Sequence, residues 1–374
     1  MNTYFVTGAT GTIGSGLVPV LLQEPAAQVH LLIRAGSPEQ LSERLESLLA
    51  FWDVGANDPR RTRITALRGD AELARFGLSE QDYGRLSERC THIIHCAGKV
   101  RMNLPLEAAR QAAVDSARNI TDLAKACMAR GDFRKVEFVS TVGVGGRNRG
   151  VIPETWITNP REFHNTYEQS KAEAEIFIAR EIDQGVPITV HRPSMVVGDS
   201  REGKVVHFQI FYHLCEFLSG RRTLGVFPVL ERATLDIIPV DYVAGALAWS
   251  AGRTDTIGRI LHLCSGPDGA IRIMDLRERV RRLFRGHGVG LPPSLPVPLA
   301  VFKGAIPVIG WLVPEKTRRA LRTLPIFLDY LAEDQAFANS ETRPLLATAG
   351  IHLPPVEEYV DKLITYYVDH RLRR

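Results

Sequence analysis

The chain has 374 residues, of which 45% are hydrophobic and 24% are charged, and its formal net charge is +4. This composition is typical of a globular protein and gives no reason to expect nucleic acid as a partner. No uninterrupted apolar run reaches the roughly 20 residues that span a bilayer. The five cysteines are scattered and lack metal-ligand spacing, so we expect reduced thiols and no metal site. Because the chain opens directly on a strand-like segment, we expect a cytoplasmic protein without a signal peptide.

A glycine-rich turn follows the first apolar run of the chain. Its sequence, Thr7-Gly8-Ala9-Thr10-Gly11-Thr12-Ile13-Gly14, has G-x-x-G-x-x-G spacing and precedes a helical pattern. We expect Gly8 to permit a tight turn, Gly11 to let a pyrophosphate approach the backbone, and Gly14 to let the helix pack on the strand. The helix N-terminus then offers free N–H groups to the phosphates. The predicted cofactor contacts here are Thr7, Gly8, Gly11, Thr12, Ile13 and Gly14.

Apolar runs and helical patterns alternate through the first two thirds of the chain. The predicted strands are Tyr4–Val6, Val29–Ile33, Ile64–Leu67, His92–His95, Val136–Val139 and Ile188–His191. The predicted helices between them are Gly14–Leu22, Pro38–Phe51, Leu106–Ala129 and Tyr167–Gln184. This alternation predicts an α/β fold with a doubly wound, parallel, Rossmann-type sheet. Such sheets bind their ligands at the carboxyl ends of the strands.

Residues that follow the second, third and fourth strands are predicted to complete a dinucleotide site. Arg34 ends the second strand, where an acidic residue would hold the ribose 2′-hydroxyl of NAD and an Arg suits the 2′-phosphate of NADP. We therefore predict NADPH/NADP as the cofactor, with a solvated strand-end arginine as the alternative. Asp70 and Ala71 are predicted at the adenine, although an Asp is also common in ordinary turns. The small residues of Cys96-Ala97-Gly98 would let the backbone run close to the cofactor.

A candidate catalytic set follows the fifth strand. Tyr167 and Lys171 form a Y-x-x-x-K pattern that opens a helix, so their side chains share one helix face. Reduction of a carbonyl needs a hydride from a nicotinamide and a proton from a positioned acid. We expect the ammonium of Lys171 to lower the phenol pKa from about 10 and also to hold the nicotinamide ribose. Thr141, ranked above the neighbouring Ser140, would hydrogen-bond the carbonyl oxygen.

The sixth strand ends in a turn, beyond which the character of the chain changes. Pro193 and Ser194 are predicted to line the nicotinamide end of the cofactor, with an ordinary strand-end turn as the alternative. After Gly198 the segments become irregular and richer in proline and aromatic residues. We predict an NADP-binding domain over 1–198, to which 236–265 return, and a smaller C-terminal lobe over 199–374 that is mostly substrate-binding.

Two segments of the carboxyl third combine apolar residues with cations. The helix predicted over Met274–Arg285 spreads arginines over its polar side, where they would be solvated or would meet CoA phosphates, an acidic carrier protein or an anionic membrane. Leu291–Val313 is apolar, but five prolines argue against a spanning helix, and a basic cluster between Lys316 and Arg322 follows. We predict a lid or pocket wall over an acyl chain, with peripheral membrane contact as the alternative.

Together, in order, these motifs resemble those of the extended short-chain dehydrogenase/reductases. Within them the chain looks most like the fatty acyl-CoA reductase and thioester reductase branch, with its male-sterility-type NAD(P)-binding domain. The resemblance runs from residue 3 to about residue 265, with a weaker echo to the end, and implies that Thr141, Tyr167 and Lys171 are catalytic. The stretches that carry it are TGATGTIG (7–14), LLIRAGS (31–37), RGD with FGLS (68–79), HIIHCAG (92–98), FVSTVGV (138–144), NTYEQSKAEAE (165–175), HRPSMVVGDSREGKV (191–205) and DIIPVDYVAGAL (236–247).

The sequence departs from this family in two respects. The family carries an Asn-Val-x-Gly-Thr run on the helix after the fourth strand, whereas this chain has Ala113-Val114-Asp115-Ser116-Ala117, with Ala113 in the place of the Asn. The adenylation and carrier-protein modules of many thioester reductases are also missing from the sequence. We therefore expect the substrate to be a free acyl-CoA or an acyl group on a separate carrier protein.

The resemblance implies an NADPH-dependent reductase of acyl thioesters, acting on fatty acyl-CoA or acyl-carrier protein. The product would be an aldehyde, which a second hydride would convert to an alcohol. One alternative is a sterol- or flavonol-type dehydrogenase or a nucleotide-sugar epimerase, because these share the fold and the catalytic set. Another is a non-catalytic NADP-binding scaffold, which the Tyr–Lys pair disfavours. The length of the acyl chain and the oligomeric state stay open at this point.

Overall fold

The computed structural model describes residues 1–102, 104–302, 304 and 335–372. Its strands are β1 (Thr3–Thr7), β2 (Gln28–Ile33), β3 (Ile64–Arg68), β4 (His92–His95), β5 (Lys135–Val139), β6 (Gly150–Ile152), β7 (Ile188–Pro193), β8 (Met195–Val197), β9 (Val226–Pro228), β10 (Thr234–Leu235), β11 (Ile237–Pro239), β12 (Ile260–Leu263), β13 (Ile271–Arg272), β14 (Leu295–Val297) and β15 (Gln335–Phe337). Its helices are α1 (Thr12–Leu21), α2 (Pro38–Phe51), α3 (Glu80–Arg89), α4 (Leu106–Arg110), α5 (Ser116–Met128), α6 (Thr166–Asp183), α7 (Ile210–Leu218), α8 (Val240–Ala251), α9 (Ile273–Gly286), α10 (Thr342–Ala347) and α11 (Val356–Tyr367).

Seven parallel strands form the central sheet, in the order β12-β7-β5-β4-β1-β2-β3. The chain runs outward from β1 through β2 to β3 and then crosses to β4 on the other side of β1. This reversal places the carboxyl ends of β1 and β4 side by side, with Thr7 paired to His95. Ligands of such sheets bind in the crevice at this reversal. The α/β, doubly wound parallel fold expected from the sequence is therefore confirmed.

The six predicted strands and four predicted helices are all present, with ends shifted by at most two residues. The helix expected over Leu106–Ala129 contains a π-helical turn, Gln111–Asp115, between α4 and α5. The sequence analysis missed α3, although its N-cap Ser79 accepts a hydrogen bond from the Asp82 N–H in a recognisable capping pattern. The described residues beyond Gly198 are also more regular than expected, because they contain α8 and α11 in addition to α9, the helix predicted over Met274–Arg285.

Two apolar layers cover the faces of the sheet, and a third core lies outside it. Alternation along β1 sends Val6 into the layer shared with α1 and α8, and Phe5 into the layer shared with α3, α5 and α6. The third core joins α7, α9 and α11 with the short strands that follow β7. β12 returns to the sheet, where Leu263 pairs with Pro193. The division of the chain at residue 198 stays a prediction.

The arginines of α9 are largely engaged within the protein. Arg279 and Arg282 both donate to Asp361, at 3.0 and 2.6 Å. Arg281 is buried and donates to the carbonyl oxygens of Ser219 and Pro292. Arg282 nevertheless stays 62% exposed, and Arg285 is exposed as well, so the solvated alternative fits these two residues. Contact of this face with phosphates, a carrier protein or a membrane stays a prediction.

The apolar segment Leu291–Val313 is described only as far as residue 304. It contributes β14, which pairs with β9 in a parallel two-stranded ribbon. The rest of that segment and the basic cluster from Lys316 to Arg322 lie outside the described residues, so the predicted lid stays a prediction. No helix in the described ranges is long and apolar enough to cross a membrane.

A buried ion pair ties the catalytic helix to the sheet. On β7, Arg192 is fully buried and donates to both carboxylate oxygens of Glu175 on α6, at 2.9 and 2.6 Å. The same guanidinium donates to the Thr155 carbonyl oxygen at 2.9 Å and approaches His262 Nε2 at 3.2 Å. This satisfied network fixes the rotation of α6 about its axis, and with it the direction of Lys171, one turn before Glu175, and of Tyr167, two turns before it.

We predict that Arg192→Met lowers the free energy of unfolding by about 3–5 kcal/mol, because removing one partner leaves a buried carboxylate uncompensated. The double variant with Glu175→Gln should recover part of that loss, because the unpaired charge is gone. Urea unfolding followed by circular dichroism measures both variants. A loss below about 1 kcal/mol for the single variant would show that the ion pair does not hold α6 against the sheet.

Candidate active site

The three glycines of the turn after β1 have distinct steric roles. Gly8 has φ +73°, and a Cβ there would lie 2.6 Å from the backbone nitrogen of Ala97. A Cβ on Gly14 would lie 2.4 Å from the Gly8 carbonyl oxygen, so the first turn of α1 packs directly on the glycine loop. Among the described residues, a Cβ on Gly11 would meet only that same oxygen, at 3.2 Å. The face of Gly11 is therefore the one left open for a ligand.

The N-terminus of α1 faces this opening. The helix begins at Thr12, which is almost fully buried, and continues with the half-buried Ile13. Its N-cap is Gly11, and no side chain of the described residues caps it. The first-turn N–H groups are therefore free to bind an anion. An open glycine face beside an uncapped helix N-terminus fits the pyrophosphate of a dinucleotide.

The end of β4 forms the floor of the same crevice. The buried Thr7 hydroxyl hydrogen-bonds His95 Nδ1 at 2.8 Å and accepts from the Ala97 N–H at 3.3 Å. Burial raises the pKa of the Cys96 thiol to about 12, so the thiol stays protonated. Gly98 is exposed at the rim. The Thr7 side chain thus joins β1 to β4, and a direct contact of its hydroxyl with the cofactor stays a prediction.

Arg34 and Asp70 lie together beyond the ends of β2 and β3. Arg34 Nη1 is 4.0 Å from Asp70 Oδ2 and 3.9 Å from Glu72 Oε1, and its side chain is 59% exposed. Ala71 is buried beside them, and its carbonyl oxygen accepts from the Asn119 side chain at 2.9 Å. The structure therefore brings the residues predicted for the adenosine end together, with the guanidinium open to solvent.

Thr141, Tyr167 and Lys171 meet at the carboxyl end of β5. Thr141 caps the short helical turn after this strand and accepts from the Gly143 N–H at 3.1 Å. Its hydroxyl is also near enough to Tyr167 to lower the pKa of the phenol. Tyr167 lies in the first turn of α6. Lys171, one turn later, donates to the Val139 carbonyl oxygen at 2.8 Å and lies 4.7 Å from the centre of the Phe138 ring.

The electrostatics of this set differ from the sequence expectation. Burial raises the pKa of Tyr167 to about 12, and the hydrogen bond with Thr141 only partly offsets it. Burial also lowers the pKa of Lys171 to about 8, against the favourable effect of Glu175. The expected lowering of the phenol pKa by the ammonium is absent, because the ammonium is turned to the Val139 carbonyl. Tyr167 is thus a protonated phenol at neutral pH, as a proton donor must be.

The predicted nicotinamide end is fixed by a carboxylate that the sequence analysis did not single out. Ser194 follows Pro193, the last residue of β7, and its hydroxyl donates to Asp236 Oδ1 at 2.6 Å. The same carboxylate accepts from the Ser265 N–H at 2.9 Å. Burial raises the pKa of Asp236 to about 6, although these hydrogen bonds oppose the shift. Asp236 lies in the DIIPVDYVAGAL stretch, but no local pattern connects it to Ser194.

Ala113, at the position of the family Asn, lies inside the π-helical turn with a buried side chain. Ser116 anchors the turn instead. Its hydroxyl donates to the carbonyl oxygens of Ala112 and Ala113, at 2.8 and 3.1 Å, and lies 3.3 Å from His95 Nε2. The helix is therefore tied to the end of β4 without the Asn side chain.

A parallel sheet with a glycine turn at its strand reversal and a Tyr–Lys pair beside it defines an NAD(P)-dependent oxidoreductase of the extended short-chain dehydrogenase/reductase class. More narrowly, residues 6–247 match the model of the male sterility protein family, an NAD-binding domain. This match covers well over half of the chain, so the chain belongs to that family.

Characterised relatives and a solved structure agree with this assignment. The chain is 29% identical over 296 residues to "Aldehyde reductase lnaA" of Aspergillus flavus, which covers 76% of this chain and 28% of that protein. It is 31% identical over 277 residues to an isonitrile lipopeptide synthase of Streptomyces coeruleorubidus, which covers 73% of this chain and 18% of the synthase. The terminal R domain from the myxalamid PKS-NRPS biosynthetic pathway superimposes with a TM-score of 0.81 at 27% identity, covering 99% of this chain and 91% of that one.

The contrast between Gly14 and Gly11 gives a matched pair of variants. Gly14→Ala should unfold or strongly destabilise the protein, because its Cβ would enter the space of the Gly8 carbonyl oxygen. Gly11→Ala should remain folded and lose at least tenfold in affinity for NAD(P)H, because the methyl group occupies the open face. Thermal unfolding and fluorescence titration with NAD(P)H measure the two effects. Equal affinity of Gly11→Ala and wild type would show that the pyrophosphate does not approach there.

The lowered pKa of Lys171 predicts a pH limb for catalysis. The ammonium is charged below about pH 8 and loses its proton above it. Because the charged form is the one predicted to hold a ribose hydroxyl of the cofactor, kcat/KM for reduction should be flat below this pH and fall above it, about tenfold per pH unit. A pH profile from 6 to 10 measures the limb, and Lys171→Met is the inactive control. A profile that stays level to pH 9.5 would contradict this assignment.

Proposed function

We propose that this chain reduces an acyl thioester to an aldehyde with NADPH. The observation that carries the proposal is the neighbouring pair of Thr141 and Tyr167, with Tyr167 kept protonated, at the strand ends beside the dinucleotide cradle. Two neighbouring hydroxyl groups suit an oxygen that gains negative charge during reduction, because each can donate a hydrogen bond to it. The relatives add support, since one is named an aldehyde reductase and another is a lipopeptide synthase.

Each residue of the site has a separate role in the proposed reaction. When bound, the nicotinamide supplies the hydride that reaches the carbonyl carbon of the thioester. Thr141 and Tyr167 donate hydrogen bonds to the carbonyl oxygen as its negative charge develops, and Lys171 orients the nicotinamide ribose. When the carbonyl re-forms, the carbon–sulfur bond breaks and the thiolate leaves. NADPH, a proton and the thioester thus become NADP⁺, a free thiol and an aldehyde.

We further propose that the acyl group arrives on a carrier protein rather than on free CoA. Many thioester reductases occur together with carrier-protein modules. This chain is similar to a lipopeptide synthase and to a terminal R domain from a PKS-NRPS pathway. This similarity favours a carrier-bound thioester over free acyl-CoA.

The test of the proposed reaction follows NADPH oxidation and free thiol together, with an acyl-carrier protein, an acyl-CoA and a ketone as separate substrates. The thioester on the carrier should release one thiol for each aldehyde formed. Tyr167→Phe should lower kcat by about 10²–10⁴-fold, and Thr141→Ala by about 10²–10³-fold. Ser140→Ala, which removes the adjacent buried hydroxyl, is the matched control and should keep wild-type activity.

Three results would count against the proposal. Reduction of the ketone without thiol release from any thioester would assign the site to alcohol or ketone chemistry. Faster turnover of acyl-CoA than of the acyl-carrier protein would overturn only the choice of carrier. Equal activity of Thr141→Ala and Ser140→Ala would remove Thr141 from the reaction.

Preference for NADPH over NADH is predicted to depend on Arg34. Its exposed guanidinium lies near the carboxylates of Asp70 and Glu72. Without the positive charge of Arg34, these carboxylates would repel the 2′-phosphate of NADPH. Arg34→Ala should therefore weaken NADPH binding about tenfold or more and leave NADH binding within about twofold, since charge-assisted hydrogen bonds are worth roughly 1.5–3 kcal/mol. Fluorescence titration with each cofactor measures this. A wild-type preference for NADH that Arg34→Ala does not change would refute the assignment.

A further inference from the structure

A side chain from beyond the sheet domain reaches the dinucleotide cradle. Gln209, the N-cap of α7, donates through Nε2 to the Thr12 hydroxyl. The two residues are 197 positions apart in the chain. This contact joins the first residue of α1, at the predicted pyrophosphate site, to the first turn of a helix in the third core.

The side-chain amide of Gln209 can form a second hydrogen bond. A glutamine amide nitrogen carries two N–H groups. Within the described ranges, the hydrogen bond to Thr12 is the one that Gln209 makes with its side chain. The residue is exposed, while Thr12 beneath it is almost fully buried. The exposed amide of Gln209 therefore lies beside the uncapped N-terminus of α1, where it can donate a hydrogen bond to an anion bound at that terminus.

A second bridge to the sheet domain lies close by and touches no part of the glycine turn. Lys204 Nζ lies 3.0 Å from Asp53 Oδ2 and 5.0 Å from the centre of the Phe51 ring. Lys204 and Asp53 both line a cavity of about 250 Å³ that Thr12 also lines. This bridge joins the segment before Gln209 to the end of α2 rather than to α1, so breaking it shows whether loosening a neighbouring contact is enough to weaken cofactor binding.

We propose that Gln209 is a cofactor-binding residue, and that its amide donates a hydrogen bond to a pyrophosphate oxygen when NAD(P)H is bound. The sheet domain would contribute the glycine face and the N–H groups of α1 to the pyrophosphate site. Gln209 would add one donor from α7, so groups from two parts of the chain would bind the pyrophosphate. The proposal rests on NAD(P) binding and does not depend on whether the substrate is a thioester.

Two substitutions at residue 209 distinguish ligand binding from simple docking. Gln209→Ala removes the donor and should weaken NADPH and NADH alike, by about fivefold to tenfold, because both contain the pyrophosphate. Gln209→Glu still accepts a hydrogen bond from the Thr12 hydroxyl, so the inter-element contact survives. Its carboxylate would repel the pyrophosphate, so the loss of affinity should exceed that of Gln209→Ala and should shrink as salt is added.

The measurements are fluorescence titrations of the full chain with NADPH and NADH, competition by 2′-AMP, which has no pyrophosphate, and thermal unfolding. We expect unchanged 2′-AMP affinity in both variants. Asp53→Asn is the matched control, because it breaks the bridge to Lys204 while asparagine tolerates the positive φ of 53° at this position. It should bind both dinucleotides within about twofold of wild type.

Wild-type affinity of Gln209→Glu for both dinucleotides would overturn the proposal and leave Gln209 as a docking contact. Equal losses for the dinucleotides and 2′-AMP would also overturn it, because a general disturbance of the site would then explain them. A loss in Asp53→Asn as large as that in Gln209→Ala would do the same. None of these outcomes depends on catalytic turnover, so they are independent of the thioester test.

Discussion

The site depends on a steric constraint: the turn after β1 packs so closely against α1 and the end of β4 that Gly8 and Gly14 have no room for a side chain. A Cβ at Gly14 or Gly8 would lie 2.4–2.6 Å from backbone atoms that cannot move. Because these contacts are backbone to backbone, they fix the height of α1 above the sheet and so the position of its free N–H groups. The carboxyl ends of β4, β5 and β7 then form one continuous edge, along which the proposed cofactor-binding and catalytic side chains lie.

Along that edge, burial sets the protonation states and buried polar contacts hold the groups in place. Desolvation keeps Tyr167 protonated and weakens the proton affinity of Lys171. The paired Glu175 and Arg192 hold α6 without leaving a free buried charge. Asp236 performs the corresponding task for the turn at Ser194. The same chain can therefore hold an acid and a cation within one helical turn while keeping both in their useful forms.

The local patterns predicted much of this arrangement, and long-range contacts account for the rest. The period of the apolar residues predicted six strands and four helices. The i, i+4 spacing predicted that Tyr167 and Lys171 share one helix face. The role of Asp236 and the contact of Gln209 with Thr12 depend on pairings across 42 and 197 residues, which no window of sequence contains. The ion pairs of Arg279 and Arg282 on α9 were not predicted for the same reason, since their partner Asp361 is about 80 residues away.

The most direct measurement of the central claim is a single turnover with NADPH deuterated at C4 of the nicotinamide, using a thioester on a carrier protein. Both labelled stereoisomers are used in turn, and the product is trapped as its oxime for mass spectrometry. Hydride transfer to the thioester carbonyl predicts one deuterium on the aldehyde carbon from one of the two isomers and none from the other, with an equal amount of free thiol in both cases. Thiol release without deuterium in the product of either isomer, or an intact thioester beside oxidised cofactor, would contradict this transfer.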